Sequence, residues 1–299
     1  MIEHIKDAFA HHVSGRLPRG EFWIGTSIFA ERKIKDDVKA HVAFCHDMGM
    51  DFISIPAGRS GSSGLSYRTF NPAEIRDATG SGLFVIAVLS GPFQRIVDKK
   101  GVQVALADIA GDAVGTRLAI EREARIVNSL VEACTDNGAN AVMIAEDVAF
   151  DSGSFFSPTM FHDIFQPLYS EFADSIHRRG ALAIFHSCGN ITNLVPYVVS
   201  SKFDGLSCQV ECLDILSLKR TYGAQITLFT GLSREFLENE SLSVKQKRRF
   251  SQIVTGLRAG EGFVLSSSSG LYLSSMALNL RVLYCLADSP AAGASGEAG

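Results

Sequence analysis

Apolar residues come in short continuous runs, each bounded by glycine, proline or polar residues. Eight such runs stand out, at 21–29 (EFWIGTSIF), 50–57, 83–92 (LFVIAVLSGP), 141–147 (AVMIAED), 181–189 (ALAIFHSCG), 203–211, 226–233 and 262–270. Unbroken apolar runs of that length signal strands buried on both faces rather than one. Between them the apolar positions spread to helical spacing. Ile34, Val38, Val42 and Cys45 predict a helix over Ile34–Met48, and Thr116–Asn137 reads as a long amphipathic helix stopped by Gly138. Asn71 followed by Pro72 predicts a capped short helix, Pro158 opens another to Arg179, and residues 1–19 read as a helix before the turn at Pro18 and Gly20. Residues 93–113 declare no clear period. Residues 58–69 (GRSGSSGLSYRT) and 147–158 (DVAFDSGSFFSP) read as long loops.

Eight strands alternating with helices predict an α/β protein built as a single (β/α)8 TIM-type barrel over residues 1–288. The strand ends are asymmetric, plain at the start and rich in polar residues and glycine at the finish. A barrel with its site at the C-terminal mouth requires that asymmetry. An open doubly wound sheet would alternate similarly, but no Gly-x-Gly-x-x-Gly turn follows an early strand. The tail from 289 to 299 (SPAAGASGEAG) is low in complexity and reads as disordered.

Composition narrows the partners. The chain has 299 residues and a formal net charge of −4, against general nucleic-acid binding. Its one dense basic run, Lys245 to Arg249, reads as a solvated helix face. No apolar run approaches the ~20 residues of a membrane span. The first residues lack the pattern of a signal peptide, so a cytoplasmic protein is expected. Its six cysteines form no CxxC pair and suit a reducing compartment. Barrel helices can pair two copies into a homodimer, although no stripe here singles out an interface.

The stretch Ala181 to Asn190 concentrates the chemistry. On a strand, alternate side chains share a face, so His186 and Cys188 would project together, and Gly189 would let the chain turn away. A histidine nitrogen beside a cysteine sulfur suits zinc, although a core cysteine next to a hydrogen-bonded histidine would read the same. Other polar residues would gather at the same mouth. Trp23 ends the first strand, Arg59 follows the second, and Glu146 with Asp147 ends the fourth. Gln209 and Glu211 end the sixth, and Ser269 ends the eighth. Glu146 and Asp147 are candidates for acid–base work, because adjacent like charges raise one pKa; the alternative is that one of them caps a helix. Arg59 could clamp an anion or simply be exposed.

Five segments carry a resemblance: PRGEFWIG (18–25), IAEDVAFDSGSFFSP (144–158), FHSCGNITNLVP (185–196), FDGLSCQVECLDILSLKRTYG (203–223) and GFVLSSSSGL (262–271). Together they resemble the uroporphyrinogen decarboxylase superfamily, and within it the cobalamin-dependent methyltransferase branch. The decarboxylases proper carry an arginine-rich N-terminal motif and an aspartate on the second loop; here those places read LPRGEFWIG and SIPAGRSGSSG. The resemblance implies a methyltransferase that moves a methyl group between a corrinoid and a thiol or folate-type acceptor. Zinc would be held by His186, Cys188 and a third ligand, with Glu146 and Asp147 as catalytic residues and Trp23, Arg59, Gln209 and Ser269 around the substrate. Where the branch has its third ligand, a cysteine, this chain has Ser269. Glu211 is the expected substitute. It resembles a glutamate of cobalamin-independent methionine synthase and is preferred to Cys208, an odd number of residues away. The cobalamin motif Asp-x-His-x-x-Gly is missing, so the corrinoid would arrive on a partner protein. Two other readings stay open: a tetrapyrrole-decarboxylating lyase, and a non-catalytic barrel that binds a corrinoid protein.

Overall fold

The buried runs become seven parallel strands of one curved sheet, β1 (Phe52–Pro56), β2 (Phe84–Ser90), β3 (Ala141–Ala145), β4 (Leu182–Ser187), β5 (Gly205–Cys208), β6 (Thr227–Leu232) and β7 (Phe263–Ser267), paired in that order. This is a computed structural model, and it describes residues 1–12, 15–58, 66–239, 241–259 and 262–289.

The first predicted strand takes another form. Residues 18–25 run extended between the two edges of the sheet, and a helix begins at Thr26 (Thr26–Glu31) where the run was expected to continue to 29. The segment still closes the cylinder. On one side the Gly20 N–H donates to Leu265 O (3.2 Å) and the Leu265 N–H to Pro18 O (2.9 Å). On the other, the Asp51 N–H donates to Arg19 O (2.7 Å), and the Ser54 hydroxyl donates to the Phe22 carbonyl. With this eighth stave the sheet becomes a (β/α)8 barrel of the TIM type. Gly20 is needed at the seam, since a Cβ there would lie 2.6 Å from the Phe52 ring.

Alternation along the strands sorts the core into two bodies. Phe22, Phe52, Phe84, Ile86, Met143, Ile184, Phe229 and Val264 fill the lumen, and Phe22 stands 5.1 Å from Phe52 and 5.5 Å from Phe229 between ring centroids. The opposite faces pack against the helices. The helix Ile2–Phe9 buries Ile5 and Ala8 against the lumen, with Phe9 against the Phe229 ring at 5.6 Å. The lumen is therefore filled low down by apolar side chains, and polar residues gather at the C-terminal strand ends.

The elements between strands largely follow the sequence. Asn71 caps Pro72–Ala78 as a 3-10 helix through a capping box with Glu74, and the long helix runs Ala113–Asp136. Residues 93–113, unreadable by period, are two helices, Pro92–Lys100 and Val102–Gly111, broken at Gly101 with its φ of +82°. The loop after β3 contains a small antiparallel hairpin, Ala149–Phe150 with Gly153–Ser154. No described helix is long and apolar enough to cross a membrane.

The strands are shorter than their apolar runs, and this relocates several candidates. β3 ends at Ala145, β4 at Ser187, β5 at Cys208 and β7 at Ser267. Asp147, Cys188, Glu211 and Ser269 thus lie in the turns beyond their strands, so strand parity does not govern where they point.

Candidate metal centre at the barrel mouth

Parallel register sets His186 opposite Ala145 on one side and Ser207 on the other. All three sit at the top of the lumen, above the aromatic packing. The His186 ring is almost wholly buried. Its Nδ1 is 2.9 Å from Ser207 Oγ, and Trp23 meets it edge-on at 4.7 Å between centroids. With one nitrogen engaged below, Nε2 faces the mouth. There it lies 3.7 Å from Cys188 Sγ and 3.9 Å from Asp147 Oδ1. Donor atoms of Asp147, His186 and Cys188 all fall within 4.8 Å of one another, the only such group of three among the described residues.

The turn carrying Cys188 is fixed from three sides. The Cys188 N–H donates to Asp147 Oδ1 (2.9 Å) and the Gly189 N–H to Gln209 Oε1 (3.0 Å). The Asn190 N–H reaches Phe150 O in the hairpin (2.8 Å). Gly189 has φ +79°, and a Cβ on it would stand 2.5 Å from Ala149 O. Only glycine fits a left-handed residue pressed against another backbone.

A cavity of about 80 Å³ opens beside the group, walled by Trp23, Pro56, Tyr67 and Val88 and edged by Asp147 and His186. Trp23 therefore lines this cavity. Gln209 instead braces the Gly189 turn. Among the described residues the buried Ser269 hydroxyl has no hydrogen-bond partner. Arg59 lies outside the described residues.

Glu211, the expected third ligand, is not among the three. β5 stops at Cys208, and the chain turns before Glu211, whose carboxylate accepts the Arg234 N–H (2.5 Å). Asp147 takes that place beside His186 and Cys188. It sits two residues past Ala145, which also lines the cavity.

Glu146 points away from the cavity. Fully buried, it accepts the Phe93 N–H (3.0 Å), the Gln94 N–H (2.7 Å) and the Tyr169 hydroxyl (3.0 Å). It ties β3 to the start of the helix Pro92–Lys100 and crowds Gly91, where a Cβ would collide with its side chain. That geometry makes it a helix-capping brace. Sequence reasoning missed Ser207 and Tyr67. The register opposite His186 could have suggested Ser207; Tyr67 lies in a loop with no periodic signal.

Burial dominates the titration of these groups. It pushes His186 from about 6.5 down to about 4, opposed by Asp147, so the imidazole is neutral at pH 7. Burial, with Asp147 and Glu211 nearby, pushes the Cys188 thiol up. Glu146 and a second sealed carboxyl, Glu21, which accepts from the Ser267 N–H and hydroxyl, are each pushed from about 4.5 to about 8, again mainly by burial. In the window between those values the folded chain holds two protons that the unfolded chain releases, so stability falls as pH rises. Each group contributes a slope of up to about 1.4 kcal/mol per pH unit. Below about 6.5 the neutral His186 acts in the opposite direction. The urea midpoint should therefore decline between pH 6.5 and 8, and Glu146→Gln or Glu21→Gln should each flatten that decline. A midpoint that climbs over the same range refutes the assignment.

The donor set fits zinc. One imidazole nitrogen, one thiolate sulfur and one carboxylate oxygen are ligands that zinc accepts, and catalytic sites use three such groups and leave a fourth position open. The imidazole is neutral as ligation demands, and its far nitrogen is held by a polar partner, as is usual for metal-binding histidines.

Comparison with known proteins bears on this arrangement. Residues 73–289 match the family model described as uroporphyrinogen decarboxylase (URO-D). Among solved structures, a methyltransferase from Methanosarcina mazei superimposes with a TM-score of 0.77 at 15% identity, over 96% of this chain and 98% of that one. A putative vitamin-B12 independent methionine synthase from Listeria monocytogenes gives 0.55 at 14% identity, over 93% and 96%. A D-psicose 3-epimerase from Clostridium cellulolyticum gives 0.53 at 10%, over 85% and 93%. At these identities the likeness is one of fold. No curated protein matches the chain.

Proposed function

The chain belongs to the uroporphyrinogen decarboxylase family, and from that premise we propose that it is a methyltransferase with a zinc-assisted site at the barrel mouth. The observation that carries the reading is the convergence of Asp147, His186 and Cys188 within 4.8 Å beside a small aromatic-walled cavity. The reaction transfers a methyl group between a corrinoid, free or on a partner protein, and a thiol acceptor. In the forward direction a thiol R–SH releases its proton to solvent water. Its sulfur pair then bonds to the methyl carbon, and the electron pair of the broken Co–C bond stays on cobalt. Zinc bound by the three residues would hold the acceptor sulfur as a thiolate at neutral pH.

The remaining work belongs to the chain. Ser207 fixes the His186 ring so that Nε2 points to the mouth. Asp147 orients Cys188 through its backbone N–H and supplies the oxygen donor. Trp23, Tyr67 and Val88 exclude water around the sulfur, which strengthens its interactions with charges. Glu146 keeps Gln94 and the helix Pro92–Lys100 against the cavity wall. It acts as a positioning residue, and Asp147 serves as a ligand in place of an acid–base role.

The decarboxylase reading is less well supported. A porphyrinogen is far larger than a cavity of about 80 Å³, and a ligand with many carboxylates needs basic side chains, whereas no described arginine or lysine lines this one. The direct test supplies methylcobalamin and 2-mercaptoethanol to the zinc-loaded protein and follows loss of the Co–C absorbance with formation of the thioether. Uroporphyrinogen is the parallel substrate. Demethylation of the corrinoid with no loss of CO2 from the tetrapyrrole is expected; the reverse pattern would sink the proposal.

A further inference from the structure

A second space lies outside the cylinder, between the helices Pro92–Lys100, Val102–Gly111 and Ala113–Asp136. We infer that it is a binding site for an uncharged, mainly hydrocarbon molecule the size of a two-ring aromatic, bearing one hydroxyl or carbonyl oxygen. The cleft encloses about 280 Å³, against about 80 Å³ at the mouth, and among the described residues the two share no lining residue. A cavity of about 150 Å³ takes benzene, so this one has room for a second ring. The space has a cause in the sequence. Ala105, Gly115 and Ala119 line it with little or no side chain. In the helix Val102–Gly111 only Ala105 and Ile109 are buried, so that helix covers the cleft without filling it.

The walls set the class of ligand. Ile96, Ala105, Ile109 and Ala119 make them aliphatic, and apolar space of this kind favours hydrocarbon over water. Lys100, the one cation among the described lining residues, donates to Asp108 Oδ2 at 2.5 Å. That pair is self-neutralising, and both side chains are 47% exposed, marking the edge that meets solvent. Asp112 is turned to its own helix, where Oδ1 accepts the Gly115 N–H at 2.9 Å. The polar group left over is Thr116. It lines the cleft and is 7% exposed, and its backbone N–H donates to Asp112 O at 3.0 Å. Its hydroxyl has no hydrogen-bond partner among the described residues. A buried hydroxyl left unpaired is costly, and one ligand oxygen supplies the missing partner.

This site is independent of methyl transfer, and its test reads binding alone. The purified full chain is titrated in a calorimeter with 2-naphthol, 2-naphthoate and 1-naphthylmethylamine, which are neutral, anionic and cationic at pH 7. One molecule of 2-naphthol per chain is expected, bound at least about 5-fold more tightly than either ion, because an ion would leave water without a free counter-charge. Thr116→Val keeps the shape and removes the hydroxyl, and should weaken 2-naphthol about 3- to 10-fold. Ala119→Phe, and Ala105→Leu from the facing helix, should each abolish binding by filling the cleft, with circular dichroism showing which of them remain folded. Absence of 2-naphthol binding, tighter binding of either ion, or binding that survives in a folded filling variant overturns the inference. Unchanged affinity in Thr116→Val overturns it as well, since the ligand oxygen would then have no partner.

Discussion

Purified with zinc, the wild-type protein is expected to retain about one equivalent, whereas His186→Ala and Cys188→Ser should retain none and lose methyl transfer by more than about 100-fold. Each substitution removes one of the three donor atoms that meet at the mouth among the described residues. The folded state should tolerate Cys188→Ser, because Cys188 is only partly buried and the turn is held by backbone N–H groups. Ser207→Ala separates orientation from ligation. All three ligands remain, but Nδ1 loses its partner at 2.9 Å, and zinc affinity should fall about 10- to 100-fold. Affinity measured by competition with a chelator checks all three variants. Full zinc retention by both ligand variants would remove the metal centre from the account, whatever their activity.

The second large effect falls on stability. Gly189→Ala is expected to cost about 2–6 kcal/mol in urea unfolding. A non-glycine residue at φ +79° costs about 1–3 kcal/mol, and crowding of a fixed backbone adds a similar amount, since the new Cβ would lie 2.5 Å from Ala149 O. Gly180→Ala is the matched control. Its φ is +74°, yet nothing lies within 4 Å of its added Cβ, so only the backbone cost of about 1–3 kcal/mol remains. Equal losses from the two substitutions would show that the hairpin does not press on the Cys188 turn. If it does, the damage from Gly189→Ala spreads to the site, because that turn carries a zinc donor.

Much of the barrel was legible because its strands are buried on both faces and so appear as unbroken apolar runs. The same property hid their ends. Nothing in ALAIFHSCG marks β4 as stopping at Ser187, and nothing in FDGLSCQVE marks β5 as stopping at Cys208. The ends decide which polar residues face the mouth. His186 lies within its strand, whereas Glu211 lies in the turn beyond β5, outside the group that Asp147 completes. Asp147 was read with Glu146 as a candidate acid–base pair, and only the turn after β3 sets its carboxylate beside His186 and Cys188. The burial of Glu146 against Phe93, Gln94 and Tyr169 is a tertiary fact that neighbouring sequence cannot reveal. The first stave misled for a related reason: EFWIG reads as a strand and SIF extends it, but the chain bends into a helix at Thr26.

The seam between residues 18–25 and β7 bears on how the molecule comes into being. Arg19 and Leu265, bridged in the finished cylinder, lie far apart along the chain, and the first leaves the ribosome long before the second. Until β7 emerges, the N-terminal stave has only β1 as a neighbour, and its other side of N–H and C=O groups waits unpaired, as does the far edge of the growing sheet. Joining ends so distant along the chain is slow, and open sheet edges invite pairing with other chains. A nascent chain stalled before Phe263 would therefore be an open, adhesive arc, with the Trp23 wall of its cavity still facing nothing across the gap.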